Sequence, residues 1–154
     1  MRRSFGVVVL ALAGVVAVAA PVPKSSGKVD PGKPWDFPDL DSKGWVKTDS
    51  GLKVWDVKEG DGDAVTNGAT VQAKYAGWLT NGMRFDGGED RAAVSLPLTA
   101  VIKGWQEGMI GMKPGGIRRL VIPPELGYGK NGAGGQVPPN ATLVFVIEYV
   151  GPGK

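Results

Sequence analysis

The chain has 154 residues, 42% of them hydrophobic, with 25 glycines, 12 prolines and a formal charge of +3. That length suits one domain with a real core, and the turn-rich composition favours short strands over long helices. The chain has no cysteine and no histidine, which excludes disulfides, thiol nucleophiles, Cys/His zinc sites and Ser-His or Cys-His catalytic pairs.

The first twenty residues, MRRSFGVVVLALAGVVAVAA, read as a secretory signal. Arg2 and Arg3 form a basic start, Phe5 to Val18 are apolar or small, and Ala17-Val18-Ala19 is an A-x-A cleavage site. Residues 1–19 are therefore expected to direct export to a periplasmic or other extracytoplasmic space. If left uncleaved the segment would tether the protein to a membrane, but the run is short against the about 20 residues a span needs. Without Arg2 and Arg3, 16 basic residues face 15 acidic ones, so no electrostatic footprint for nucleic acid remains. Residues 20–44 hold five of the twelve prolines and no apolar periodicity. This is the composition of a flexible arm, which Trp35 and Phe37 could pin to the folded domain expected over residues 45–154.

Val54 to Val57 is a weak strand candidate. Val71, Ala73, Tyr75 and Leu79 alternate with Gln72 and Lys74, the pattern of a half-buried strand. Asn81-Gly82 then reads as a two-residue hairpin turn, since both residues tolerate positive φ. Val94 to Leu96 is another weak candidate. In VIKGWQEGMIGM (101–112), Ile102, Trp105, Met109 and Met112 recur at helical spacing, and Pro114-Gly115-Gly116 ends the run. Gly104 and Gly108 cost such a helix about 1 kcal/mol each relative to alanine, so something is expected to lie close against them. GIRRLVI (116–122) and TLVFVIEYV (142–150) complete the strands. The sum is an α+β fold, a mostly antiparallel sheet of about five strands with one short helix packed on it.

Two motifs mislead. Gly127 to Gly132 matches G-x-G-x-x-G, but Ala133-Gly134-Gly135 and Pro138-Pro139 follow, where a dinucleotide site needs a helix. Asp86, Glu89 and Asp90 cluster acids of the kind a glycosidase pair or calcium loop uses, yet they lack the calcium-loop spacing and Arg91 follows at once. A hydrolase built on these acids predicts cleavage that Asp86→Asn abolishes. No metal and no cofactor is expected.

Tyr75, Phe85, Trp105, Tyr128 and Phe145 remain, and singly each reads as core. Around them, AKYAG (73–77), NGMRFD (81–86), VIKGWQEG (101–108), VIPPELGYG (121–129) and VPPNATLVF (137–145) stand in one order along the chain. In these five stretches the sequence resembles the FKBP-type peptidyl-prolyl cis-trans isomerases, over about residues 45–150. The resemblance implies a twisted antiparallel sheet around one short helix, with an apolar cleft between them. Carried over by motif position, the catalytic set is Tyr75, Phe85, Asp86, Ile102 and Tyr128. Substrate would be bound by Val94, Val101, Trp105, Val137 and Phe145, with Trp105 as the floor, and Arg91 and Tyr75 would support Asp86. The Ile102 N–H and the Tyr128 hydroxyl would hold substrate carbonyls.

Such a cleft needs no nucleophile, because the reaction breaks no bond. The implied partners are proline-containing polypeptide clients and macrolide ligands, and the protein is expected to be a monomer. The sequence departs from the family pattern at Val94, where many members close the cleft with Phe, at Gly87-Gly88 and at Val146. Val94 and the altered Gly87-Gly88 turn motivate the alternative of a non-catalytic binding module or holdase with the same cleft. A strict two-residue turn would also put Tyr75 and Phe85 on opposite faces; a bulge at Gly77 reconciles them.

Overall fold

The computed structural model describes residues 34–154; the signal-like segment lies outside the described residues. Seven strands form one antiparallel sheet, where about five were expected. They are β1 (Val46–Lys47), β2 (Lys53–Lys58), β3 (Thr70–Leu79), β4 (Arg84–Gly87), β5 (Val94–Pro97), β6 (Ile117–Ile122) and β7 (Leu143–Pro152). The spatial order is β1-β2-β6-β7-β3-β4, with β5 also pairing β3. The two strands beyond expectation are short: β1 is too brief to show any period, and β4 carries one large apolar residue, Phe85.

The one α-helix, α1 (Lys103–Gly108), is six residues long, shorter than the 101–112 pattern implied. Met109 and Met112 remain buried beyond its end, in turns. Arg118 takes the carbonyls of Gly108 (2.8 Å) and Ile110 (3.0 Å), which would otherwise need partners at the helix terminus.

The sheet has two covered faces. On the front, Leu120 and Ile122 of β6, Leu143, Phe145 and Ile147 of β7, and Val71 and Ala73 of β3 pack with Trp105, Met109, Leu98 and Ile102. On the back, Val57, Ile117, Val144, Val146, Ala76 and Trp78 pack together, with Trp35 and Leu40 laid against them. Phe37 meets Trp78 edge-on at 6.1 Å. The Trp45 indole N–H donates to Asp39 O at 2.8 Å and ties the arm to the start of β1. Central strand β7 is buried on both sides, so it reads in sequence as a continuous apolar run and not as an alternation.

The β3–β4 hairpin corrects the turn. Gly82 N donates to Leu79 O (3.0 Å) and Leu79 N to Met83 O (2.9 Å), so the loop is Thr80-Asn81-Gly82, three residues and not two. Only Gly82 takes a positive φ (85°), as a three-residue loop ending in a left-handed residue requires. Register then runs Trp78 to Arg84 but Gly77 to Asp86, a bulge at the expected glycine that leaves Phe85 as the extra residue.

Candidate active site

Gly104 and Gly108 explain the helix. A Cβ on Gly104 would lie 2.6 Å from Ile122 Cγ2, and one on Gly108 2.6 Å from a Leu120 methyl. Alternate residues of β6 thus press directly on the helix backbone, and Trp105, between the two glycines, is carried inward. Gly77 does the same for β3: a Cβ there would meet Phe145 at 2.6 Å and Phe85 at 3.0 Å. Glu107 fixes the outer side of the helix, its carboxylate accepting from Thr48 Oγ1 (2.8 Å) and Ser50 Oγ (2.7 Å) in the β1–β2 turn.

These close approaches build an aromatic cluster. Tyr75 and Trp105 meet edge to face at 5.0 Å, Trp105 and Phe145 at 5.4 Å, and Phe85 and Phe145 at 5.7 Å. Such perpendicular pairs are favoured by the ring quadrupoles. Val101, Ile102, Tyr128 and Val137 are buried in the same cluster, while Tyr75 and Phe85 are half-buried at its edge. Trp105 is 0% exposed, so its indole face is not open; the rings of Tyr75 and Phe145 pack against it. Its indole N–H has no partner among the described residues.

Asp86 is the polar member. It is 7% exposed; Tyr75 Oη donates to its Oδ2 at 2.8 Å, and the Gly87 N–H to its Oδ1 at 2.8 Å. Burial first, then the bond to Asp86, pushes the Tyr75 hydroxyl above the usual phenol range, while the positive charge of Arg91 pulls it down. The hydroxyl therefore stays protonated and donating at neutral pH. Arg91 itself is exposed.

Val94 stands apart. It is 41% exposed, on β5 opposite Ala73, at the rim beside β3. Leu96, two residues on and on the same strand face, packs against the front core. The loop after Tyr128 closes on itself through reciprocal bonds between Ala133 and Val137 (2.9 and 3.1 Å), with only a three-residue 3-10 turn at Gly129–Asn131. No helix follows the G-x-G-x-x-G run, and among the described residues no group of three or more His, Cys, Asp or Glu could hold a metal ion. A shallow groove lined by Leu40, Ser42, Trp45, Lys47 and Lys53 lies where the arm meets β1 and β2; none of the aromatic cluster lines it.

Sequence reasoning missed Gln106, Glu107 and the Asp56–Arg118 pair. Gln106 and Glu107 were legible only as polar residues in a small helix. Arg118 and Arg119 were legible only as part of the strand GIRRLVI, not as two buried side chains.

The family model for FKBP-type peptidyl-prolyl cis-trans isomerases matches residues 62–150. The chain belongs to this family. A FK506-binding protein of Neisseria meningitidis serogroup B is 48% identical over 103 residues, covering 65% of this chain and 94% of that one. The FKBP-type peptidyl-prolyl cis-trans isomerase FkpA of Escherichia coli is 47% identical over 107 residues, covering 68% of this chain and 39% of FkpA. In three dimensions the crystal structure of FkpA matches with a TM-score of 0.67 at 40% identity, covering 74% of this chain and 55% of that one. The crystal structure of AtFKBP13 matches with a TM-score of 0.64 at 36% identity, covering 71% and 98%. The antiparallel sheet with one short helix is thus the FKBP fold, and the family binds proline-containing peptides and macrolides in general.

Proposed function

We propose that this FKBP-type domain accelerates cis-trans rotation about X-Pro bonds at the Tyr75–Phe85–Trp105–Phe145 cluster, and that it does so for proteins folding outside the cytoplasm. The observation that carries the site assignment is Asp86, the one buried carboxylate among the described residues, held by Tyr75 at the edge of an otherwise apolar aromatic cluster. Rotation about the amide C–N bond faces a barrier of about 18–20 kcal/mol from resonance. The planar amide is more charge-separated than the twisted one, and water favours the planar form. An apolar cleft withdraws that preference, and a shape fitted to the twisted bond stabilises the transition state over the ground state. Tyr75 and Phe85, half-buried at the cluster's edge, offer the apolar surface, with Trp105 and Phe145 packed behind them. Asp86, oriented by Tyr75, lies beside the twisting bond. The Ile102 N–H and the Tyr128 hydroxyl hold substrate carbonyls on either side of it.

Export rests on the basic start, apolar run and A-x-A site of residues 1–19, and the working unit is a monomer. A protease-coupled isomerisation assay on a prolyl tetrapeptide tests the activity, with acceleration over buffer expected. Peptide binding without acceleration would replace the enzyme with a binding module. Fractionation of expressing cells tests the location, and retention in the cytoplasm would overturn it.

A further inference from the structure

We propose that Gln106 is a positioning residue for substrate binding: its side-chain amide fixes the peptide unit joining Val101 to Ile102, and with it the N–H that meets a substrate carbonyl. This rests on the isomerase reading above. Gln106 Nε2 donates to Val101 O at 2.8 Å. A carbonyl oxygen only accepts, so the amide nitrogen and not the amide oxygen faces it. The Val101 carbonyl and the Ile102 N–H belong to one planar group, so whatever orients the first orients the second. A bond accepted at the carbonyl also polarises the unit and makes its N–H a stronger donor.

The backbone offers this unit little other support. Val101 (φ −115°, ψ 166°) and Ile102 (φ −57°, ψ 152°) are extended, between the 3-10 turn Leu98–Ala100 and α1. Among the described residues the Ile102 N–H donates to no backbone group, which leaves it for a ligand. The next unit is held differently, with Ile102 O accepting from the N–H groups of Trp105 (3.0 Å) and Gln106 (3.2 Å). Gln106 thus clamps two successive units, one by its side chain and one by its backbone. Its own place is set by Trp105, the fully buried residue before it, and by Glu107, anchored to Thr48 and Ser50.

The carbonyl held by Ile102 lies outside the rotating bond, so the contact is the same in the ground state and the transition state. Removing its orientation raises KM and spares kcat. In the full chain, Gln106→Met keeps the side-chain length and deletes the donor. The expected result is a KM higher by about three- to tenfold, the worth of one hydrogen bond, at an unchanged kcat. The Ile102 amide proton, followed by NMR in the absence of peptide, moves upfield. If Gln106→Met does not fold, Gln106→Glu keeps the shape, removes the donor at neutral pH and carries the same expectation. An unchanged KM with an unmoved Ile102 resonance overturns the proposal. So does a fall in kcat and melting temperature at constant KM, which makes the bond structural only. If the wild type binds prolyl peptide without turnover, the isomerase reading falls, and the peptide Kd takes the place of KM. An unchanged Kd in Gln106→Met then overturns the inference on its own.

Discussion

The two faces of the sheet are both apolar and both covered, but by different means. The front carries a regular helix pressed onto β6 through Gly104 and Gly108, with aromatic rings packed edge to face around Trp105. The back carries an irregular proline-rich arm, with Trp35 and Leu40 laid on Val144, Val146 and Trp78. Arg118 and Arg119, adjacent in sequence, show what separates the faces. Alternation along β6 sends Arg118 to the front, where its Nε bonds Asp56 Oδ1 at 2.5 Å and its Nη1 holds the carbonyls after the helix. Arg119 goes to the back, where its guanidinium lies 5.2 Å from the Trp55 ring centroid and reaches Pro34 O at 3.5 Å. Two like charges in a row are therefore not a basic patch here. Each is an internal strut, and both are under 7% exposed. With the site proposed above, the front would couple stability to function and the back would serve stability alone.

The largest expected effect comes from breaking the front strut. Arg118→Leu removes a charged partner of Asp56 and the donor to the carbonyls of Gly108 and Ile110, at a cost of about 3–5 kcal/mol. Denaturant unfolding measures it, and activity falls with it because the displaced helix carries Trp105 and begins directly after Ile102. The back face gives the contrast. Trp35→Ala combined with Leu40→Ala removes partly buried apolar surface worth about 2–3 kcal/mol, yet kcat/KM at a temperature where both proteins are folded stays at the wild-type value. A fall in kcat/KM there would show that the arm reaches the cleft.

Tyr75→Phe is the next smaller. It removes the donor to Asp86 and costs about 1–2 kcal/mol, with a loss of turnover if Asp86 sits by the rotating bond. Unchanged stability and turnover would show that the Tyr75–Asp86 bond contributes to neither. The pH dependence has a defined sign. Folding raises the Tyr75 pKa above its unfolded value of about 10, so its stabilisation is complete below that pH and is lost as pH climbs beyond it, because the unfolded chain gives up its proton first. The alkaline fall in stability should therefore be shallower in Tyr75→Phe. Tyr149, also raised by burial, remains in both proteins and keeps some of the slope.

Val94→Phe has the smallest effect on stability. Val94 is 41% exposed, so an added ring meets open space and not a packed core, and the melting temperature is expected to stay put. The gain is in binding. About 1 kcal/mol of new apolar contact at the rim tightens a macrolide several-fold, read by titration calorimetry. An unchanged affinity would place Val94 off the ligand's path.

The front of the molecule was largely legible in the sequence. The alternation of Val71, Ala73 and Tyr75, the helical spacing of Trp105 and Met109, and five collinear motifs all point to the same sheet, helix and cleft. Where the reading slipped, the cause was local. Asn81-Gly82 invited a two-residue turn, but the hairpin spends three residues with only Gly82 left-handed, a choice made by the twist and register of the paired strands. The helix stops at Gly108, with Gly111 in a left-handed conformation (φ 85°) shortly after and Arg118, ten residues on, bonded to the Gly108 carbonyl. The glycines lie within their own segments, but the Arg118 bond does not.

By itself, then, the sequence determined the strand and helix periods, the glycines where backbones must meet, and the residue types of the cleft, because these follow from short-range sterics and from the repeat of apolar side chains. Only the tertiary structure decided which polar residues became internal partners. Asp56 meets Arg118 across 62 residues, and Thr48 meets Glu107 across 59. It also decided that Trp105 is sealed under Tyr75 and Phe145 while Val94 stays at the rim. Those outcomes depend on how closely two surfaces approach, and that distance is set by the packing of the whole sheet against its helix, not by any one stretch of chain.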